Sequence, residues 1–297
     1  MSGVSDLCGR FAPCDSVTEK GILAGLERLG VKAGEVLFCH SSLSSFGHVE
    51  GGADTVIGAL VAAVGEGGTV AMPTFGYSFP PERPPWDPAA SPSQVGRITE
   101  VFRTWPGVLR TNQPSHSVAA RGQQAEFITR PYGNLRPYDK LGPFGKMYRL
   151  GARILFLGCG LSPNSTLHAC EDWAEVPYLG PTEVHVREAD GSVRRFTLHK
   201  MPVGHRDFYR GRDWMKAKVN QRLAQRGLLS RRTIGRSEVV SVGMRDLVDA
   251  CMDIFVDEAD ILLCDDPECE FCTGGKRLLQ RWKLPRWERL EPVRFPE

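Results

Sequence analysis

The sequence predicts an α/β fold with a largely parallel or mixed central sheet and a C-terminal subdomain carrying a hairpin. Three observations predict it. Val36-Leu37-Phe38-Cys39, Thr69-Val70-Ala71-Met72 and Arg153-Ile154-Leu155-Phe156-Leu157 are short apolar runs bounded by turn residues, the pattern of strands buried on both faces. Ala53 to Val64, rich in Ala, Val and Leu and stopped by Gly65, separates the first two runs and completes a βαβ unit, which favours parallel pairing. Val184-His185-Val186 and Phe196-Thr197-Leu198 flank Ala189-Asp190-Gly191, a hairpin with a glycine turn.

In chain order, residues 1–15 show no periodicity and read as an arm. Ser16-Val17-Thr18-Glu19 is a capping box, and Ile22, Leu23, Leu26 and Leu29 keep helical spacing up to Gly30. The first strand runs into His40-Ser41-Ser42-Leu43-Ser44-Ser45-Phe46-Gly47, a hydroxyl-rich loop, and then Gly51-Gly52 opens the Ala53 helix. Residues 76–93 hold Tyr77, Phe79, Trp86 and six prolines; they read as a lid over a site or as a solvated loop. Helical spacing returns from Gln94 to Thr104, and Arg110 to Ala120 is a polar loop entering a short strand. Residues 131–150 are turn-rich and then helical. After the hairpin come a basic amphipathic helix from about Phe208 to Arg226, a strand at Glu238–Ser241, a helix at Met244–Val256 and a strand at Ile261–Leu263. The division expected is one α/β domain over 16–273, with 180–273 as its subdomain, and a basic tail over 274–297.

Composition narrows the function. A hydrophobic content of 41% and a charged content of 24% are those of an ordinary soluble globular protein. A formal charge of +2 gives no strong field, which argues against nucleic acid or an anionic membrane as partner. The first residues lack the basic and apolar regions of a signal peptide, and nine cysteines, an odd number, do not suit a secreted disulfide framework. A cytoplasmic protein with reduced thiols is expected. The aromatic, basic stretch Lys276 to Trp287 reads as a solvated face or as a subunit contact, the latter leaving room for a homodimer.

The stretch Asn164 to Tyr178 follows a buried strand and a Gly-Cys-Gly turn, which is where open α/β sheets keep their chemistry. Asn164, Ser165 or Thr166 can cap a short helix, which Pro177 ends. His168 and Glu171, three apart, share a helix face, so the carboxylate can fix the imidazole tautomer of a general base. A helix start with a structural histidine is the plainer reading. Cys170, two residues from His168, points away from it and reads as core. The loop after the first strand precedes a helix N-terminus, which suits a phosphate-bearing cofactor; a Ser/Gly connection without a ligand fits equally.

Cys264, Cys269 and Cys272 place three thiols within nine residues, a set suited to a structural zinc that needs one more ligand. His205, in Pro202-Val203-Gly204-His205, is the candidate fourth ligand; three unligated reduced cysteines are the alternative.

His40-Ser41-Ser42-Leu43, Gly51-Gly52-Ala53, Gly67 to Thr74, the loop Arg110–Gly122 and Asn164-Ser165-Thr166-Leu167-His168 with Glu171 together resemble the aminoglycoside 3-N-acetyltransferase family, which is distinct from the GCN5-type acetyltransferases. The motifs run in order from about residue 17 to residue 272. The resemblance implies a three-layer α/β/α fold that binds acetyl-CoA and transfers acetyl to a primary amine, with His168 as base and Glu171 as its partner. It places cofactor-binding elements at Ser41, Ser42, Leu43 and Ser44, and extends them to Thr74, Phe75, Arg110, His116 and Ser117. It also supports the zinc ligands, because some members carry the Cys-x-x-Cys and a nearby histidine. One departure is Gln113-Pro114, where many members have His-Pro.

The expected function is acetyl transfer from acetyl-CoA to an amine of an aminoglycoside or related small molecule, by direct attack, with α-helical N–H groups near Thr166 stabilising the oxyanion. A related acyltransferase acting on a biosynthetic amine is the near alternative. A metal-dependent hydrolase and a CoA-binding module without chemistry are the alternatives from other classes.

Overall fold

The computed structural model describes residues 16–79, 83–201 and 214–293. Helix α1 (Glu19–Arg28) is capped by Thr18, whose hydroxyl accepts from Gly21 N at 3.2 Å, rather than by Ser16. Ser16 instead donates to Glu50. Strand β1 (Val36–Ser41), helix α2 (Ala53–Val64) and strand β2 (Thr69–Pro73) form the expected unit, with β1 and β2 parallel. Strand β5 (Arg153–Leu157) pairs in parallel with the other side of β1.

The three parallel strands are the centre of a seven-stranded mixed sheet. Strands β4 (Val118–Gly122) and β3 (Leu109–Arg110) add antiparallel beyond β2. Strands β9 (Ser237–Gly243) and β8 (Ser230–Ile234) add antiparallel beyond β5, giving the order β3-β4-β2-β1-β5-β9-β8. The edge strand β8 carries Arg231 and Arg232 and has no alternation of apolar residues, so periodicity could not reveal it. Charge on an edge strand also discourages pairing with another chain.

Side chains alternate across the sheet and feed two cores. Leu37, Cys39, Val70, Met72, Leu155 and Leu157 pack with α1, α2 and helix α3 (Arg97–Phe102). Phe38, Ala71, Ile154, Phe156 and Val240 face the other layer. That layer contains helices α4 (Ala125–Thr129), α5 (Pro143–Arg149), α6 (Thr166–Trp173) and a longer helix, α8 (Met244–Asp257). The architecture is α/β/α, as the resemblance implied. Helix α7 (Trp214–Gln225) covers the described part of the expected basic helix. The N-terminal arm and residues 202–213, with His205, lie outside the described residues. No described helix is long and apolar enough to cross a membrane.

Strands β6 (Gly180–Arg187) and β7 (Val193–Met201) form the expected hairpin. It does not stand alone. Trp86 N donates to His185 O at 2.8 Å and Arg187 N to Trp86 O at 2.7 Å, so the proline-rich excursion runs beside β6 as a bridge.

Two expectations need correction. Ile261–Leu263 is a turn, in which Ile261 N bonds Glu258 O and Leu263 N bonds Asp260 O. Its apolar side chains are buried because the turn tucks under helix α9 (Glu270–Leu279), not because a strand pairs there. The tail is not a solvated face either. Trp287 stacks on Trp173 of α6, with ring centroids 6.1 Å apart and planes 9° apart, and its Nε1 donates to Asp249 at 3.2 Å. Trp282 Nε1 donates to Glu175 O at 3.1 Å. Trp287→Ala removes the stacked ring and uncovers Trp173. It should lower Tm by several degrees or more, measured by thermal denaturation.

Candidate active site

The sheet topology gathers the motifs at one edge. β1, β2 and β5 are parallel, so the segments that follow them leave from the same end. β4 runs the other way and pairs Val118 with Pro73, so the segment that precedes it arrives there too. Residues 42–47, 74–77, 113–117 and 158–168 therefore converge although they are far apart in the chain.

His168 is buried on α6 and its Nδ1 lies 2.6 Å from Glu171 Oε2. The other carboxylate oxygen accepts from Tyr178 Oη at 2.8 Å. Burial and the Glu171 charge hold the Tyr178 phenol well above its ordinary pKa, so it is a donor. With Glu171 ionised, Nδ1 carries the proton and Nε2 carries the lone pair, the tautomer a base requires. Tyr178 was not anticipated as a member of this group. Glu175 adopts φ 55° and stops α6 before Pro177, bringing the chain round so that Tyr178 reaches back to Glu171.

Aromatic rings surround this pair. Tyr138 lies against His168 with ring centroids 5.8 Å apart, and against His116 at 5.3 Å. Phe75 and Tyr77 complete the wall around His116 at 4.7 and 5.4 Å. Tyr138 is buried, its phenol is held well above its ordinary pKa by burial, and its hydroxyl has no hydrogen-bond partner among the described residues.

The expected oxyanion donors are already used. Thr166 N bonds Asn164 Oδ1 at 3.2 Å, Leu167 N bonds Asn164 O at 3.4 Å and His168 N bonds Ser165 O at 3.1 Å. Instead, Asn164 Nδ2, Ser165 Oγ and Thr166 Oγ1 are buried polar atoms without a partner among the described residues.

Ser41, Ser42, Leu43 and Ser44 line a cavity of about 590 Å³ together with His48, Gly52, Gly96 and Arg97. The α2 N-terminus opens on it: Gly51 and Gly52 have φ 73° and 65°, and Gly52 gives no side-chain cap. Arg97 and His48 went unnoticed in the sequence, since no motif marks them. Ser45 fixes the loop by donating to Ser42 O at 2.7 Å and by a 2.9 Å bond with Ser237. Gly158 makes room for that bond; a Cβ there would lie 1.7 Å from Ser45 Oγ, and φ is +68°.

The other expected cofactor residues form a separate cluster. Arg110 Nη2 donates to Thr74 O at 2.5 Å, Nη1 to Ser91 O at 2.6 Å and Nε to Thr74 Oγ1 at 3.1 Å, while the guanidinium lies 4.4 Å from the Trp86 ring centre. Burial lowers its pKa to about 9. Ser117 Oγ donates to Thr74 O at 2.6 Å. Thr74, Arg110 and Ser117 thus brace the 76–93 excursion, and none of them lines the cavity at Ser41–Ser44. Gln113 is a brace as well: Nε2 donates to Leu135 O at 2.8 Å, and Oε1 accepts from Ser115 N at 2.8 Å and from His116 N.

Cys264, Cys269 and Cys272 are buried with their sulphurs all within 4.8 Å of one another. Cys264 N donates to Cys272 Sγ at 3.2 Å. Cys170 lies in the core, as expected.

Asp172, one residue beyond Glu171, ties loop and hairpin to α6. Arg136 Nη2 lies 2.8 Å and Lys200 Nζ 3.5 Å from its Oδ1. Burial outweighs these cations and raises its pKa to about 6. A carboxyl whose folded pKa exceeds its unfolded value near 3.8 loses stability as pH rises through that window. The isosteric Asp172→Asn cannot titrate. The difference Tm(Asp172→Asn) minus Tm(wild type) should therefore increase from pH 4 to pH 7, followed by thermal denaturation across that range.

A family model described as Aminoglycoside 3-N-acetyltransferase matches residues 38–256. Aminoglycoside N(3)-acetyltransferase IV of Salmonella sp is 32% identical over 228 residues, covering 76% of this chain and 85% of that protein. Aminoglycoside N(3)-acetyltransferase III of Salmonella sp is 32% identical over 211 residues, covering 64% and 67%. Among solved structures, the apoenzyme of aminoglycoside acetyltransferase AAC(3)-IVa superposes with TM-score 0.79 at 28% identity, covering 90% of this chain and 99% of that one. The structure of AAC-IIIb with CoASH gives TM-score 0.70 at 26% identity, covering 80% and 95%. The dyad of His168 and Glu171, the fold around it and these similarities agree: the chain belongs to the aminoglycoside 3-N-acetyltransferase family, a family of acyltransferases.

Proposed function

We propose that the protein transfers acetyl from acetyl-CoA to a primary amine of an aminoglycoside, with His168 as general base. The observation that carries this is the buried bond from His168 to Glu171, whose second oxygen is held by Tyr178. In the reaction the amine nitrogen bonds to the thioester carbonyl carbon and its proton passes to His168 Nε2. The C–S bond then breaks and the imidazolium returns the proton to the departing CoA thiolate. Asn164 Nδ2 and Thr166 Oγ1, buried donors beside the base, are suited to the oxyanion that forms between these steps.

Acetyl-CoA fits the cavity at Ser41–Ser44. Its phosphates would meet the Arg97 guanidinium, the His48 ring and the N–H groups at the α2 N-terminus, which can donate to anions. CoASH is bound in AAC-IIIb, and a mutant of AAC(3)-IVa, 29% identical to this chain, was solved with apramycin. These relatives support the donor and the acceptor class.

The test is thiol release from acetyl-CoA with a panel of aminoglycosides, amino sugars and other amines. Aminoglycoside-dependent release is expected, and His168→Ala should lose on the order of 10² or more in kcat with its fold intact. Release with other amines alone would overturn the substrate class. Chelator-sensitive thioester hydrolysis without amine would replace transfer with hydrolysis.

The three cysteines fit a zinc ion. Thiolates at about 2.3 Å from a tetrahedral zinc stand about 3.8 Å apart, a small closure from the present cluster. Cys264, Cys269 and Cys272 would hold it, with His205 as the fourth ligand. The metal would tie the turn after α8 to the start of α9 and so contribute folding free energy. Protein purified without chelator should contain about one zinc per chain, and Cys269→Ser should lower Tm more than kcat. Metal analysis finding none would contradict this.

A further inference from the structure

Asp172 is a buried carboxylate with one oxygen in use. Arg136 Nη2 at 2.8 Å and Lys200 Nζ at 3.5 Å both take Oδ1, while Oδ2 is buried and has no hydrogen-bond partner among the described residues. An arginine fork can meet both oxygens of a carboxylate side by side. Here two cations share one oxygen instead, which pins the group and leaves the other unmet. A buried acceptor without a donor bears its desolvation cost, so Oδ2 calls for a donor from outside the described fold.

The place of Asp172 says which donor. It lies four residues beyond His168 on α6, one turn along the same helix face. One loop covers both: Arg136 reaches Asp172, and two residues later the Tyr138 ring lies 5.8 Å from the His168 ring. The Trp173 indole holds this loop down by donating to Tyr138 O at 2.6 Å. The Tyr138 hydroxyl is a second buried group without a hydrogen-bond partner among the described residues, and the charges of Glu171 and Asp172 both bear on it. Lys200 arrives from the hairpin in a left-handed conformation, φ 58°. The side chains of Arg136 and Lys200 are 29% and 33% exposed, so the carboxylate lies one side chain beneath the surface. Charge points to a cation. Glu171, Asp172 and Asp139, whose Oδ2 is 3.6 Å from Arg136 Nε, stand against two fixed cations, Arg136 and Lys200. One further positive charge balances the group. An ammonium brings that charge with three N–H donors, one for Asp172 Oδ2 and another for a lone pair of Tyr138 Oη.

We propose that Asp172 Oδ2, together with Tyr138 Oη, receives a second, non-reacting ammonium of the acetyl acceptor, so that the protein selects acceptors with two amines about one helical turn apart. This rests on the acetyl-transfer reading above and adds to it the residue that chooses which amine reacts. With one ammonium anchored at Asp172, the amine one turn away is the one that faces His168.

The test is run at pH 8, above the Asp172 pKa of about 6, so that the carboxylate is charged. Acceptor KM is measured for the preferred aminoglycoside and for derivatives of it in which each non-reacting amine in turn is replaced by hydroxyl. In wild type, one derivative should show a KM about tenfold or more higher, the size of one charge-assisted hydrogen bond. In Asp172→Asn the amide oxygen faces Arg136 and Lys200, and its N–H groups take the place of Oδ2, donors where an acceptor stood. The parent aminoglycoside should then lose the same factor, and the derivative lacking the anchored amine should lose nothing further. Tyr138→Phe, which keeps the ring against His168, should show the same pattern with a smaller loss. The KM of acetyl-CoA should stay unchanged in both variants. A loss of equal size for every acceptor would make Asp172 a brace of α6 alone and overturn the proposal. So would a folded Asp172→Asn with the acceptor KM of wild type, or a wild type that treats all the derivatives alike. Absence of amine-dependent thiol release in wild type would instead overturn the acetyl-transfer reading on which the proposal stands.

Discussion

A buried carboxylate must be paid for by partners, and Glu171 has two: His168 Nδ1 at 2.6 Å and Tyr178 Oη at 2.8 Å. Leaving either oxygen unmet would cost on the order of a few kcal/mol, because the carboxylate is buried and an unpaired buried acceptor bears its full desolvation penalty. The requirement therefore constrains the turn after α6 as much as His168 itself. Glu175 takes a left-handed conformation, Val176 N returns to Glu171 O at 3.2 Å, and Tyr178 comes within reach of the carboxylate. Trp173, on the same helix, is fixed from above by Trp287 and from the side by Tyr138 O, which accepts from its indole at 2.6 Å. The C-terminal tail and the 131–142 loop both press on the helix that carries His168.

The mixed sheet sets the geometry around it. Parallel β1, β2 and β5 send three loops to one edge, and the antiparallel β4 brings a fourth. The Ser41–Ser44 cavity and His168 thus belong to neighbouring strands, β1 and β5, joined by a register that pairs Ser41 with Leu157. The two loops that follow are locked to each other where Ser42 N bonds Leu157 O at 2.9 Å and where Ser45 meets Ser237 beneath Gly158. A bound CoA and an attacking amine would be held in one rigid frame, which is where most of the advantage of positioning arises.

Much of this was legible in the sequence, for physical reasons. Val36–Cys39, Thr69–Met72 and Arg153–Leu157 are buried on both faces, so their apolar runs stand out. His168 and Glu171 are one helical turn apart, so spacing alone suggested their contact. What lay hidden depends on long-range contacts. Arg231 and Arg232 conceal an edge strand, and Ile261–Leu263 imitates a strand because three buried residues in a turn look the same as three in a sheet. Arg110 looked available for a cofactor, yet Thr74, Ser91 and Trp86 absorb its guanidinium. Tyr178 could not be assigned to Glu171 without knowing how the chain turns at Glu175. The amides at Thr166 looked free until Asn164 and Ser165 proved to satisfy them.

In the proposed chemistry Glu171, by accepting from Nδ1, sets the tautomer that lets His168 take a proton, and that chemistry stands on this bond. Glutamine at 171 keeps the shape but has one acceptor and one donor for two donating partners, so the amide must face either His168 or Tyr178 with N–H groups. Facing His168, it stabilises the tautomer with the proton on Nε2, which cannot serve as base. The decisive measurement is the single-turnover rate of acetyl transfer by Glu171→Gln, with acetyl-CoA and an aminoglycoside both saturating and circular dichroism matching wild type. A fall of about 10² or more is expected; a rate equal to wild type would refute the role given to Glu171.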